Sequence, residues 1–145
     1  MFMPSIEILQ PIADRVIDGY FAGGLASLTP RDRVFFLIWA YAPELDNGGH
    51  AAFFFNTGAD NFAETVYALE HLGLTPFADL LRRAGYLLFK GDVPRNTEER
   101  NARLEALPED EAVDNELDVL NQAFFSDGGG DKALDVLEQW YLKAH

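Results

Sequence analysis

The chain has 145 residues, 48% of them hydrophobic and 13% aromatic, which is enough apolar mass to close one core and excludes disorder of the whole chain. Twenty-four Asp and Glu against eleven Lys and Arg leave a formal charge of −13, so direct binding of DNA, RNA or anionic membrane is not expected. The absence of Cys excludes disulfides and thiolate zinc sites and suits a reducing compartment.

The opening segment Met1 to Glu7 lacks the basic and long apolar regions of a secretory signal, so cytoplasmic residence is expected. Thr29-Pro30-Arg31-Asp32 supplies an N-cap, a proline at the first helical position and an acid in the first turn, predicting a helix to about Ala42 or Leu45. The longest apolar run, Val34 to Ala42, is nine residues, short of the ~20 that a membrane-crossing helix needs, and reads as a buried helix. Asn47-Gly48-Gly49 permits a sharp chain reversal, after which His50 to Asn56 can form a short helix. Phe53, Phe54 and Phe55 cannot share one face, because successive helical residues are rotated by about 100°. That helix is therefore either central in the fold or partly covered by a second copy of the chain, the central placement being preferred.

Asn56 and Gly58 then act as a stop before a helix from near Asp60, which holds Phe62, Val66 and Leu69 and ends at Gly73. Thr75-Pro76 repeats the capping device ahead of a stripe of Phe77, Leu80, Leu81, Ala84 and Leu88, with Asp79, Arg82 and Arg83 facing away. The Gly91 to Asn96 segment reads as a hinge loop, and Thr97-Glu98-Glu99-Arg100 as another cap with an acidic first turn. Val113, Leu117, Leu120 and Phe124 line one face of a later helix, opposite Glu111, Asp114 and Asp118. Gly128-Gly129-Gly130 separates it from a last helix with Leu134, Leu137 and Tyr141 inward. No segment alternates as a strand does and no repeat or linker divides the chain, so residues 1–145 read as one all-α domain, a bundle of about seven to eight short amphipathic helices.

The motif Asn47-Gly48-Gly49, followed by Phe53-Phe54 and Asn56-Thr57-Gly58, resembles the core signature of the bacterial DNA-mimic protein family, otherwise classed as a domain of unknown function. The likeness continues through the helix ending at Gly73, the helix after Pro76, and Leu117 to Phe125 followed by Leu134 to Tyr141. The resemblance implies an all-helical fold, a homodimer, and a role in transcription regulation. In that role an acid-rich surface imitates DNA to occupy the DNA-binding face of a transcription factor or other basic protein. The signature residues Asn47, Gly48, Gly49, Phe53, Phe54, Asn56 and Gly58 themselves look structural.

From Glu105 to Asp131 there are nine acids and no Lys or Arg. Glu105, Glu109, Asp110, Glu111, Asp114, Glu116 and Asp118 are the candidate partner-binding residues, with Glu111, Asp114 and Asp118 forming a helical row spaced ~5 to 6 Å that a basic surface could grip. Arg82, Arg83, Lys90, Arg95, Arg100 and Arg103 form a mixed-charge middle unlike DNA, so a one-sided acidic patch is expected rather than a whole-surface mimic. The bland alternative is a helical domain of unknown role whose acidity only maintains solubility.

An enzyme is not expected. His50, His71 and His145 are the only histidines and form no ligand array, and no nucleophile elbow or phosphate-binding loop is present. Asp127 to Asp131 is a turn without a calcium loop's ligand pattern, and no metal or cofactor is expected. His71 sits in a last helical turn, where partial positive charge suits the dipole, and His145 is expected to be mobile. Two minor alternatives centre on His50: an acid–base pair with Glu44 or Asp46, or an anion held on the Gly48 and Gly49 amides.

Overall fold

A computed structural model describes residues 3–143 and is all-helical, with seven α-helices and two 3-10 turns among the described residues. The expectation for His145 lies outside them. The helices are α1 (Ile6–Gly23), α2 (Pro30–Phe55), α3 (Phe62–His71), α4 (Thr75–Phe89), α5 (Thr97–Glu105), α6 (Glu111–Ser126) and α7 (Gly129–Lys143). No helix among the described residues is long and apolar enough to cross a membrane.

The central element is α2, which packs against α1, α3, α5, α6 and α7. Its start follows the sequence: Thr29 Oγ1 accepts the Asp32 amide at 3.1 Å and Pro30 takes the first helical position. Val34, Phe35, Leu37, Ile38, Tyr41 and Ala42 from the long apolar run are buried. The chain reverses at Asn47-Gly48-Gly49 as the sequence predicts: Asn56 Nδ2 returns to within 2.9 Å of Glu44 Oε2, and the Tyr41 and Phe53 ring centroids lie 5.9 Å apart. Helical geometry is broken at Gly49 (φ 74°, ψ −168°), so α2 consists of two helical arms and the His50 to Phe55 segment is the second, the short helix expected after the turn. Phe53 and Phe54 are fully buried, whereas Phe55 is 43% exposed, which puts this arm at the centre of the core.

Elsewhere the apolar stripes dictate the packing. Phe77, Leu80, Leu81, Ala84 and Leu88 of α4 are buried while Asp79, Arg82 and Arg83 are exposed, and the same division holds on α6 between Leu117, Leu120 and Phe124 and the outward Glu111, Asp114 and Asp118. Gly73 follows α3 with φ 78°, as a helix stop requires.

Two expected caps shift. Helix α4 begins with Thr75 inside it and Leu74 at the capping position, and α5 is capped by Asn96, whose Oδ1 accepts the Glu99 amide at 2.9 Å. Thr97 is drawn away because its hydroxyl donates to Asp60 Oδ1 at 2.7 Å.

The sequence pattern did not yield α1, although Leu9, Ala13 and Val16 are its buried stripe. It is pinned by a polar cluster. Arg15 donates to Asp32 (2.8 Å) and to the Tyr141 hydroxyl (2.6 Å), and Tyr141 donates to Asp32 Oδ1 at 2.7 Å, joining α1, α2 and α7. The Arg15 guanidinium, assisted by the Tyr141 hydroxyl, holds the Asp32 carboxyl below the usual carboxylate range against the opposing effect of burial.

Candidate functional site

The signature segment proves to be a set of locks on the core. At Gly49 the positive φ with extended ψ is a conformation that an L side chain rarely adopts, and a Cβ there would lie 2.5 Å from Asn121 Nδ2. Asn121 uses the space so created: its Oδ1 accepts the His50 amide at 2.9 Å and lies 2.7 Å from His50 Nδ1. An amide oxygen only accepts, so Nδ1 carries the imidazole proton. Nε2 is buried without a partner among the described residues. Burial pushes the His50 pKa below its ordinary value, which keeps the ring neutral.

One residue before the motif, Asp46 Oδ1 accepts the Gly130 amide at 2.9 Å and so satisfies the N-terminus of α7. The kink therefore ties together α2, α6 and α7. Gly48 is required by close approach, since its Cβ would meet that of Ala52 at 2.5 Å. At Gly58, by contrast, a Cβ would meet only ordinary contacts, the nearest at 3.6 Å.

The other end of the motif is held by a residue that the sequence placed in the mixed-charge middle. Arg100 is fully buried. Its Nε donates to the Phe54 carbonyl (2.8 Å), Nη1 to Asp60 Oδ1 (2.8 Å) and the Pro94 carbonyl (2.9 Å), and Nη2 to the Asn56 carbonyl (2.7 Å) and Thr97 Oγ1 (3.3 Å). A guanidinium has five N–H donors in a fixed fork, and each is used. Asn56 completes the arrangement by donating from Nδ2 to Glu44 Oε2 at 2.9 Å.

These bonds engage both acids of the acid–base alternative at His50. Glu44 is turned to Asn56 and Asp46 to α7, so neither forms the expected acid–base pair. The His50 amide is likewise taken, by Asn121.

The candidate acids fall into two groups. Glu105, Glu109, Glu111, Asp114 and Asp118 are exposed and enter no ion pair among the described residues. On α6, Glu111, Asp114 and Asp118 lie within about 60° of one another around the axis, with steps of about 4.5 and 6 Å along it. Glu109, Asp110 and Asp114 also border one concavity with Phe55 and Leu107, which Lys90 and Arg103 share.

Two residues do not stand free with these five. Asp110 caps α6, its Oδ1 accepting the Ala112 and Val113 amides at 3.0 and 3.4 Å, and Glu116 turns toward α4, where Arg83 lies 3.3 Å away. The other arginines of the middle are engaged elsewhere, Arg82 with Asp79 and Glu70, Arg95 with Glu64 and Arg103 with Asp92. None of these ion pairs involves Glu111, Asp114 or Asp118, and Lys90 and Arg103 approach the row only across the concavity that Asp114 borders.

A protein-family model described as DMP19-like protein matches residues 26–145 of the chain. No curated protein and no solved structure matches it.

Proposed function

We propose that this chain, which belongs to the DMP19-like family, is an acidic protein-binding module whose outer α6 face takes the place of DNA on a basic DNA-binding protein. The observation that carries this reading is the row Glu111, Asp114 and Asp118, exposed, on one side of a packed helix and without a cationic neighbour in an ion pair. A helix whose opposite face is buried holds its carboxylates at fixed spacing, so a partner meets an ordered array rather than a mobile acidic tail. Glu105 and Glu109 extend the field beyond the helix, and Asp110 contributes charge while serving as the cap. Long-range attraction would speed encounter with a basic surface and weaken as salt screens it, over a Debye length of about 8 Å at physiological ionic strength.

Capture on the immobilised chain from a lysate at low salt tests this. The expected result is one or more DNA-binding proteins that duplex DNA releases. Recovery only of proteins that DNA does not displace would favour the solubility reading of the acidic composition.

A further inference from the structure

A second concavity, far from α6 in the sequence and opposite in electrostatic character, lies where α2, α3 and α7 meet. It encloses about 530 Å³, within the range of about 300–1,000 Å³ typical of small-molecule sites. Tyr67, His71 and Trp140 form its aromatic wall: the Tyr67 and His71 rings lie near parallel with centroids 6.2 Å apart, and Trp140 meets His71 edge-on at 5.6 Å. Tyr67 is 67% exposed, so much of a ring face is open to an incoming planar group.

The polar contribution comes from Arg31 and Arg33. Arg33 is fixed by donating from Nε to the Leu25 carbonyl at 3.1 Å and from Nη2 to the Ala26 carbonyl at 3.2 Å. Both acceptors are neutral, and Arg33 enters no ion pair among the described residues, so its charge is positioned without being compensated by a carboxylate. Arg31 lies with its guanidinium 3.9 Å from the centre of the Tyr141 ring. The one acid of the lining, Glu64, is held by Arg95 at 3.0 Å. A wider groove of about 910 Å³ beside α4 also contains two arginines, but there Arg82 and Arg83 are each matched by carboxylates.

We propose that the α2–α3–α7 cleft binds a small planar aromatic anion, its ring against Tyr67 and Trp140 and its carboxylate on Arg33. The ring gains an aromatic contact and burial of apolar surface, and the carboxylate gains a charge-assisted hydrogen bond from a donor already held in place. The site is independent of the α6 face.

Because Trp39 and Trp140 are the only tryptophans, and only Trp140 lines the cleft, their two indole N–H signals in a nitrogen-labelled sample report the cleft and a position outside its lining separately, with Trp39→Phe assigning them. Naphthoate is expected to shift the Trp140 signal saturably with a Kd of about 1 mM or tighter, and to leave the Trp39 signal in place. Naphthamide, which lacks the charge, and hexanoate, which lacks the ring, are each expected to bind about tenfold more weakly. Arg33→Gln should weaken naphthoate by about tenfold while leaving naphthamide unchanged.

If Arg33→Gln disturbs the Leu25–Ala26 turn, Tyr67→Ala, at an exposed position, supplies the second probe and should weaken both naphthyl ligands. An unmoved Trp140 signal, equal binding of naphthoate and naphthamide, or binding indifferent to Tyr67→Ala would overturn the assignment.

Discussion

Replacing Arg100 by Met is expected to cost about 3–5 kcal/mol of unfolding free energy, read as a fall in the urea midpoint at unchanged slope. The side chain is wholly buried and all five of its donors are used, so truncation strands the carbonyls of Phe54 and Pro94, leaves that of Asn56 with only the Ala59 amide, and removes the cation facing Asp60. Each buried acceptor left without a donor carries its own desolvation cost of about 1–3 kcal/mol, softened where water reaches it. Lysine keeps the charge but cannot reproduce the planar fork, so Arg100→Lys should recover only part of the loss.

Arg95→Met is the control. Its ion pair with Glu64 sits at the surface, with the arginine side chain 65% exposed, and its loss should cost less than about 1 kcal/mol. Domains of this size have about 5–15 kcal/mol to lose, so the Arg100 variant should be recovered in poor yield. Equal costs for the two substitutions would show that the buried fork does not hold the motif.

Gly49→Ala should destabilise by about 2–4 kcal/mol, combining a backbone conformation disfavoured for any L residue with a Cβ driven into Asn121. The two contributions separate in a double-mutant cycle. Asn121→Ala alone removes the acceptor of the His50 amide and ring, a loss of about 1–3 kcal/mol. Adding Gly49→Ala to that variant relieves the collision but not the φ strain, so the double variant should be more stable than the sum of the singles by about 1 kcal/mol. Strict additivity would mean that Asn121 does not pack on Gly49 as described.

These two positions also mark where the sequence could be read and where it could not. The stripes of α4 and α6 were legible because the spacing of Phe77, Leu80, Leu81 and Ala84, or of Leu117, Leu120 and Phe124, is a property of a few consecutive turns. The outward placement of Glu111, Asp114 and Asp118 follows from the same periodicity.

Arg100, Asn121 and Asp46 carry no such local signal. Their partners lie 46, 71 and 84 residues away, and nothing in the sequence around Arg100 distinguishes a buried guanidinium from the exposed Arg95 or Arg103. Glu116 counts among the candidate acids on sequence alone because the run of like charge hides that its helical position faces Arg83. The cap of α5 was misplaced by one residue for a related reason: Asn96 and Thr97 are both good caps locally, and a tertiary bond to Asp60 decides between them.

The glycines of the signature likewise divide by physics rather than by pattern. Gly49 is demanded by backbone conformation and Gly48 by contact, whereas Gly58 meets no such demand in the folded chain. The motif thus specifies the turn between the two arms of the central element and the helices docked on it. On the proposed function its contribution to partner binding would be indirect, through the rigidity with which α6 is presented.

The most direct test of that presentation is to replace Glu111 by Gln and Asp114 and Asp118 by Asn together, then measure affinity for a captured DNA-binding partner across a range of salt. The triple variant should keep the helical content and urea midpoint of the parent to within about 1 kcal/mol, yet bind at least about tenfold more weakly at low salt and with a shallower salt dependence. Partner binding at parental strength and with parental salt dependence would contradict the account.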